Sequence, residues 1–285
     1  MSEPDPRQSL QFTDRPALRD ATMLMALSGW MDGGDVSTGT VERLIEQLEA
    51  RPFARIDPEG YYIYNFPGSM ELVSLFRPPI RVEQGRLESI EMPGNRFYCD
   101  EQRGLVLFVG REPNLYWRSF GDCIFELTRT VGVKRILFVG SYAGSVPHTR
   151  EPRLYATVTD PQIGRQLGEY GVRPTNYEGP GSFTTYLMTR TGEQGMEMIN
   201  LVAEIPAYIQ GRNPLSIEAV TRRLGKILDV PVDVEALRTT SNEWEEDVTE
   251  AVEKDEELAE KIRELEKDYD DDLVTETAED EWPVD

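Results

Sequence analysis

ILFVGSYAGSVPHTR, Ile136 to Arg150, is the stretch that decides how the chain is read. Its four leading apolar residues, Ile136, Leu137, Phe138 and Val139, predict a buried strand. The strand is expected to stop at Gly140-Ser141 and hand over to a loop of small residues. That loop carries His148, the only histidine of 285 residues, between Pro147 and Thr149-Arg150. A buried strand that passes through glycine into a polar loop is the pattern of an open α/β sheet, which keeps its working residues at strand carboxyl ends.

Two runs upstream share the pattern. Ala21 to Ser28 (ATMLMALS) ends at Gly29-Trp30-Met31-Asp32-Gly33-Gly34-Asp35, and Gly104 to Val109 ends at Gly110-Arg111-Glu112-Pro113-Asn114. Helical spacing follows each. Val36–Ala50 carries Val41, Leu44, Ile45 and Leu48, with Asp35, Ser37 or Thr38 as its cap. Trp117–Val131 carries Phe120, Cys123, Ile124, Leu127 and Val131 on one face. Downstream, Arg153–Thr159 and Gly195–Ala203 read as strands. Helices are expected over Pro161–Tyr170, from a Ser182 cap to Thr191, and over Pro214–Leu228 with proline in its first turn. Phe53–Pro67 reads as a strand or hairpin arm, and Pro78–Gln102 as an excursion of short antiparallel strands.

Alternating strands and helices predict an α/β fold with a mostly parallel twisted sheet flanked by helices. From Val232 the texture changes. Trp244, Val248, Val252, Leu258, Ile262, Leu265 and Tyr269 recur at three- or four-residue steps among acids. This predicts a helical extension over residues 236–285, appended to an α/β domain over 1–235, with a disordered acidic tail from about Asp270. Its apolar stripe is expected to dock on its own body.

Charge follows the same division. Residues 241–285 hold 21 acids and 4 bases, a net of −17; subtraction from 52 acids and 30 bases leaves 31 and 26, a net of −5, for residues 1–240. A balanced body with an acidic extension argues against a nucleic-acid partner. No window of about 18 apolar residues predicts a membrane span. The polar, acidic N-terminus does not read as a secretory signal, so cytoplasm is the expected compartment.

If the three glycine loops converge, Trp30, Asp32, Arg111, Glu112, Asn114, Ser141, His148 and Arg150 reach one edge and line a crevice for a ligand. Arg150 is then expected to pair with Glu112 or Asp32. The chemistry on offer is narrow. Neither GxGxxG nor GxxxxGK[ST] is present, and Asp32 and Asp35 would repel a phosphate at the first turn. One histidine and two scattered cysteines, Cys99 and Cys123, leave little to hold a transition metal, so no metal or cofactor is expected. Ser141, His148 and Asp32 formally supply a triad, but Gly140-Ser141-Tyr142 lacks the glycine of a nucleophile elbow. The better catalytic alternative is an oxyanion clamped by Arg111 and Arg150, with Ser141 or Thr149 adding a hydroxyl and His148 a proton.

Taken together, several of these segments resemble the PAC2 family of proteasome assembly chaperone 2 type proteins and their bacterial and archaeal relatives. The segments are the Gly29–Asp35 turn, Gly110–Asn114 with Trp117, Gly140-Ser141 with Pro147–Arg150, and Gly179-Pro180-Gly181-Ser182-Phe183. Glu204-Ile205-Pro206 with Tyr208, Asn213-Pro214, Arg263-Glu264-Leu265-Glu266 and Tyr269-Asp270 complete the set, in order over roughly residues 20–270. The resemblance implies a fold similar to purine nucleoside phosphorylase and peptidyl-tRNA hydrolase. It implies a non-enzymatic protein acting by oligomerisation, with a trimer expected, and by binding other proteins. The alternative is a small-molecule-binding or phosphorylase/hydrolase-like enzyme using the crevice. Ala207 departs from the pattern, because many relatives place a histidine there.

Overall fold

The apolar runs form the middle of a nine-stranded sheet in the computed structural model, which describes residues 3–275, 282 and 283. The strands are β1 (Leu10–Phe12), β2 (Ala21–Ser28), β3 (Arg51–Ile56), β4 (Ile80–Glu83), β5 (Arg86–Ile90), β6 (Arg96–Asp100), β7 (Leu105–Arg111), β8 (Val133–Gly144), β9 (Leu154–Val158), β10 (Val172–Pro174) and β11 (Glu197–Pro206). The helices are α1 (Pro6–Ser9), α2 (Val36–Gln47), α3 (Met70–Ser74), α4 (Trp117–Val131), α5 (Pro161–Gly168), α6 (Phe183–Thr191), α7 (Pro214–Ile227), α8 (Glu235–Glu253) and α9 (Glu256–Val274).

Sheet order is β1-β3-β6-β7-β2-β8-β11-β9-β10. The central four, β7, β2, β8 and β11, are parallel. They are buried on both faces, which is why they read as continuous apolar runs rather than alternating ones. Met23, Met25, Phe108, Ile136 and Phe138 face α4 and α6; Leu24, Ala26, Leu107, Leu137 and Val139 face α2 and α7. The margins are antiparallel: β6, β3 and β1 follow one another on one side, and β9 runs against β11 on the other. β4 and β5 form a separate two-stranded ribbon.

The structure differs from the sequence reading at three places that matter for the site. First, β8 does not stop at Gly140-Ser141 but runs to Gly144, paired with β11 from Arg135 onward. Gly140 is a close-approach glycine: a Cβ there would lie 2.7 Å from Phe138 and 3.3 Å from the Met31 Cβ. Second, the Tyr-rich segment is a strand only to Ile56; Tyr61 and Tyr62 then turn inward and are buried. Third, α9 continues through Asp270 to Val274, and Trp282 donates its indole N–H to the Val172 carbonyl at 2.9 Å. The rest of the expected acidic tail lies outside the described residues. The extension docks on its own body, as its stripe suggests, with Ile262 and Tyr269 buried.

Candidate functional site

α2 leaves β2 toward one face of the sheet and α4 leaves β7 toward the other, although β2 and β7 are neighbours. Helices diverging from adjacent parallel strands open a crevice at the carboxyl ends. It is a cleft of about 530 Å³ lined by Trp30, Phe76, Arg111, Trp117 and Pro180, with Glu112 and Asn114 among its walls.

Each wall is fixed by local bonding. Gly29 has φ +129°, and a Cβ there would meet the Glu112 Cβ at 3.3 Å, so the β2 turn passes close over the β7 loop. One Glu112 oxygen accepts from the Trp30 N–H (3.3 Å) and the other from the Phe183 N–H (2.7 Å) at the start of α6. The carboxylate therefore joins the β2 turn to the positive end of a helix. Ser182 caps the same helix through the Thr185 N–H at 3.2 Å. Asn114 accepts from the Ile63 N–H at 3.1 Å, and the Tyr62 hydroxyl donates to the Arg111 carbonyl at 2.8 Å. The buried tyrosines thus hold the β7 loop from behind. The Arg111 guanidinium lies 6.0 Å from the Tyr62 ring centroid. Trp30 stays 62% exposed at the mouth.

Asp32 and Ser141 sit beside this cleft as a bridge between the β2 turn and β8. The Ser141 hydroxyl donates to the Gly33 carbonyl at 2.7 Å, and its N–H to the Met31 carbonyl at 2.8 Å. Asp32, rather than Asp35, Ser37 or Thr38, caps α2 with its side chain: it accepts from the Thr38 N–H (3.1 Å) and hydroxyl (2.8 Å). Asp35 instead takes a left-handed backbone, φ 54°.

Burial raises the Asp32 pKa to about 6, against the downward pull of its Thr38 donors. Between roughly pH 4 and 6 the folded chain holds a proton that the unfolded chain has released, so this group makes stability fall as pH rises. Asp32→Asn should flatten that slope by on the order of tenfold in the folding equilibrium. Urea titrations of both proteins at pH 4.5 and 6.5 check it; parallel slopes would refute it.

His148 and Arg150 form a second cluster, apart from the cleft walls. His148 is buried and its ring is engaged at both nitrogens. The Tyr208 hydroxyl accepts from the His148 backbone N–H at 2.8 Å and lies 2.8 Å from Nδ1, while Nε2 lies 3.1 Å from the Thr249 hydroxyl of α8. This bonding is satisfied when Tyr208 donates to Nδ1 and the ring proton sits on Nε2. Burial lowers the His148 pKa and favours that neutral ring, with Glu266 pulling weakly the other way.

The next two residues reach α9. The Thr149 hydroxyl donates to Glu266, and Arg150 grips Asp270 with two bonds of 2.9 and 2.8 Å. Arg150 therefore pairs with the extension, not with Glu112 or Asp32. Arg153 adds a bond to Asp272 (2.9 Å) and lies 4.4 Å over the Tyr269 ring. A second hollow of about 530 Å³ lies under this seam, between Arg153, Arg173, Arg223, Tyr269 and Trp282.

Of the eight residues placed together by the sequence, Trp30, Arg111, Glu112 and Asn114 line the cleft. Asp32 and Ser141 buttress it, and His148 and Arg150 clamp the C-terminal helices. Phe76 and Pro180 are cleft residues the sequence reading missed, and Tyr208 is the unforeseen partner of His148. The α9 partners had a signal: Glu266 and Asp270 are one helical turn apart on one face, a fit for a guanidinium. Among the described residues no group of three or more His, Cys, Asp or Glu is placed to hold a metal, and no helix is long and apolar enough to cross a membrane.

No curated protein matches the chain. Among solved structures, a PAC2 family protein from Streptomyces avermitilis is 27% identical with a TM-score of 0.70, covering 85% of this chain and 99% of its own. A proteasome-assembly chaperone homologue from Mycobacterium tuberculosis is 29% identical with a TM-score of 0.72, over the same shares of the two chains. An archaeal proteasome activator from Pyrococcus furiosus shares the fold at 21% identity, with a TM-score of 0.63, covering 85% of this chain and 97% of its own. The PAC2 family model matches residues 26–252, most of the α/β body and nearly all of α8, and the chain belongs to that family.

Proposed function

We propose that this protein is a non-enzymatic, cytoplasmic, assembly-chaperone-like protein that self-associates and holds other protein chains, proteasome subunits foremost, in the cleft between Trp30 and Trp117. One observation carries the reading: the carboxylates and the hydroxyl in and beside the crevice are engaged within the protein, while Trp30 stands exposed at its mouth. Glu112 is bound by two N–H groups, Asp32 caps a helix and Ser141 donates to Gly33. What is left to a visitor is Trp30, Phe76, Trp117, Pro180, the exposed Asn114 and the Arg111 guanidinium. Exposed tryptophan beside arginine is the composition of a protein-binding hot spot. The kinship with a proteasome-assembly chaperone homologue supports the choice of partner.

Light-scattering titration against purified, unassembled proteasome subunits tests this. A complex is expected, weakened about 30-fold by Trp30→Ala. Absence of any complex, together with a thermal shift on phosphate or nucleosides that Arg111→Ala abolishes, would favour the phosphorylase-like alternative.

A further inference from the structure

Among the described residues, the β4–β5 ribbon and the α3 segment carry more than half of the exposed large apolar side chains. Met70, Leu72 and Leu75 lie on or beside α3; Ile80, Val82, Leu87 and Ile90 lie on the ribbon, each more than half exposed. The ribbon is well formed. Gln84 and Gly85 both have positive φ, 49° and 79°, which is the two-residue turn that matches strand twist. Its register pairs Ile80 with Ile90 and Val82 with Leu87, so aliphatics meet across the strands and share one face. Every residue of both strands is exposed, and both outer edges lie outside the main sheet. Two strands alone are marginal in water, and an open apolar ribbon of this kind is a pairing surface.

Charge identifies the occupant. The chain has a net charge of −22, yet residues 70–96 hold four acids (Glu71, Glu83, Glu88, Glu91) and four bases (Arg77, Arg81, Arg86, Arg96), a net of zero. Two acidic copies can meet there without repulsion. Both strands also read Arg-aliphatic-Glu: Arg81-Val82-Glu83 and Arg86-Leu87-Glu88. Two-fold antiparallel pairing of either strand with its own copy sets Val82 or Leu87 opposite itself and each arginine opposite a glutamate. A one-signed partner, acidic or basic, would meet a like charge at one of the two charged positions of each strand.

We propose that the β4–β5 ribbon is the self-association surface of this protein, and that a second copy covers it in a two-fold contact. This deepens, and rests on, the self-association part of the reading above, and it yields even-numbered assemblies rather than the trimer the family resemblance implies.

Charge exchange tests it in the full chain. One variant carries Arg81→Glu and Arg86→Glu, the other Glu83→Arg and Glu88→Arg. These side chains lie outside both core clusters, and unchanged circular dichroism verifies the fold. The wild type is expected to have a dimeric or other even mass by light scattering at tens of micromolar. Each variant alone should halve that mass, and an equimolar mixture should restore it, whichever edge pairs. A wild-type oligomer that neither variant disturbs overturns the ribbon assignment and leaves self-association standing. A monomeric wild type overturns both. A trimeric mass overturns the two-fold contact. Variants that keep their mass and lose proteasome-subunit capture assign the ribbon to a different protein, which also overturns the proposal.

Discussion

Arg153→Ala is expected to lower the free energy of unfolding by about 3–5 kcal/mol, the cost of leaving a buried partner charge unpaired. Arg153 is 14% exposed and sits 3.6 Å from Glu204, which is 8% exposed. Glu204 also accepts the Ser145 N–H at 2.7 Å, just past the end of β8, so it holds the turn into the His148 loop. The same guanidinium reaches Asp272 and covers Tyr269, so alanine also loosens α9. Arg153→Lys keeps the charge without the planar fork and should fall between the two. Guanidinium denaturation followed by tryptophan fluorescence measures both. A loss below about 1 kcal/mol for alanine, the range of an exposed pair, would show that Glu204 finds another partner or reaches water.

The second large effect is expected at Gly132. It ends α4 with φ +84°, and a Cβ there would lie 2.3 Å from the Leu18 carbonyl oxygen. That oxygen belongs to a backbone crossing tied on both sides: Leu18 N–H donates to Val131, and Ala21 N–H to Gly132, each at 3.1 Å. Gly132→Ala combines left-handed strain with a clash against backbone that is held in place. The sum is about 2–5 kcal/mol. Because the crossing also sets β2 against β8, the thermal midpoint should drop and the midpoints of far- and near-ultraviolet dichroism should stay coincident. A midpoint within 2 °C of wild type would mean the Leu18 segment moves aside at little cost; for a chain of this size about 2–4 °C corresponds to 1 kcal/mol.

How legible these features were follows from the range of the forces involved. β2, β7 and β8 were visible because strands buried on both faces leave uninterrupted apolar runs. Trp117–Val131 and the Ser182 cap were visible because helix periodicity and capping are local. The length of β8 was not, because Gly140 looks like a breaker until Phe138 and Met31 are seen to fill the space of its side chain. The Asp32 cap was hidden by an unusual backbone at Asp35. The division of the expected site had the least local signal of all. The Glu266 and Asp270 spacing in α9 offers a guanidinium site but does not say which arginine fills it, and nothing near His148 announces Tyr208 or Thr249 as its partners.

That clamp has a consequence for how the chain is made. The bonds from Thr149, Arg150 and Glu151 to α9 span 117 to 120 residues. Chains leave the ribosome at roughly 5–20 residues per second, so those bonds must wait several seconds after the arginines emerge. During that interval Arg150 is without Asp270, and Arg153 has Glu204 but not Asp272. α9 thus acts as an acidic cover supplied late in synthesis, and its arrival completes the pairing of both arginines.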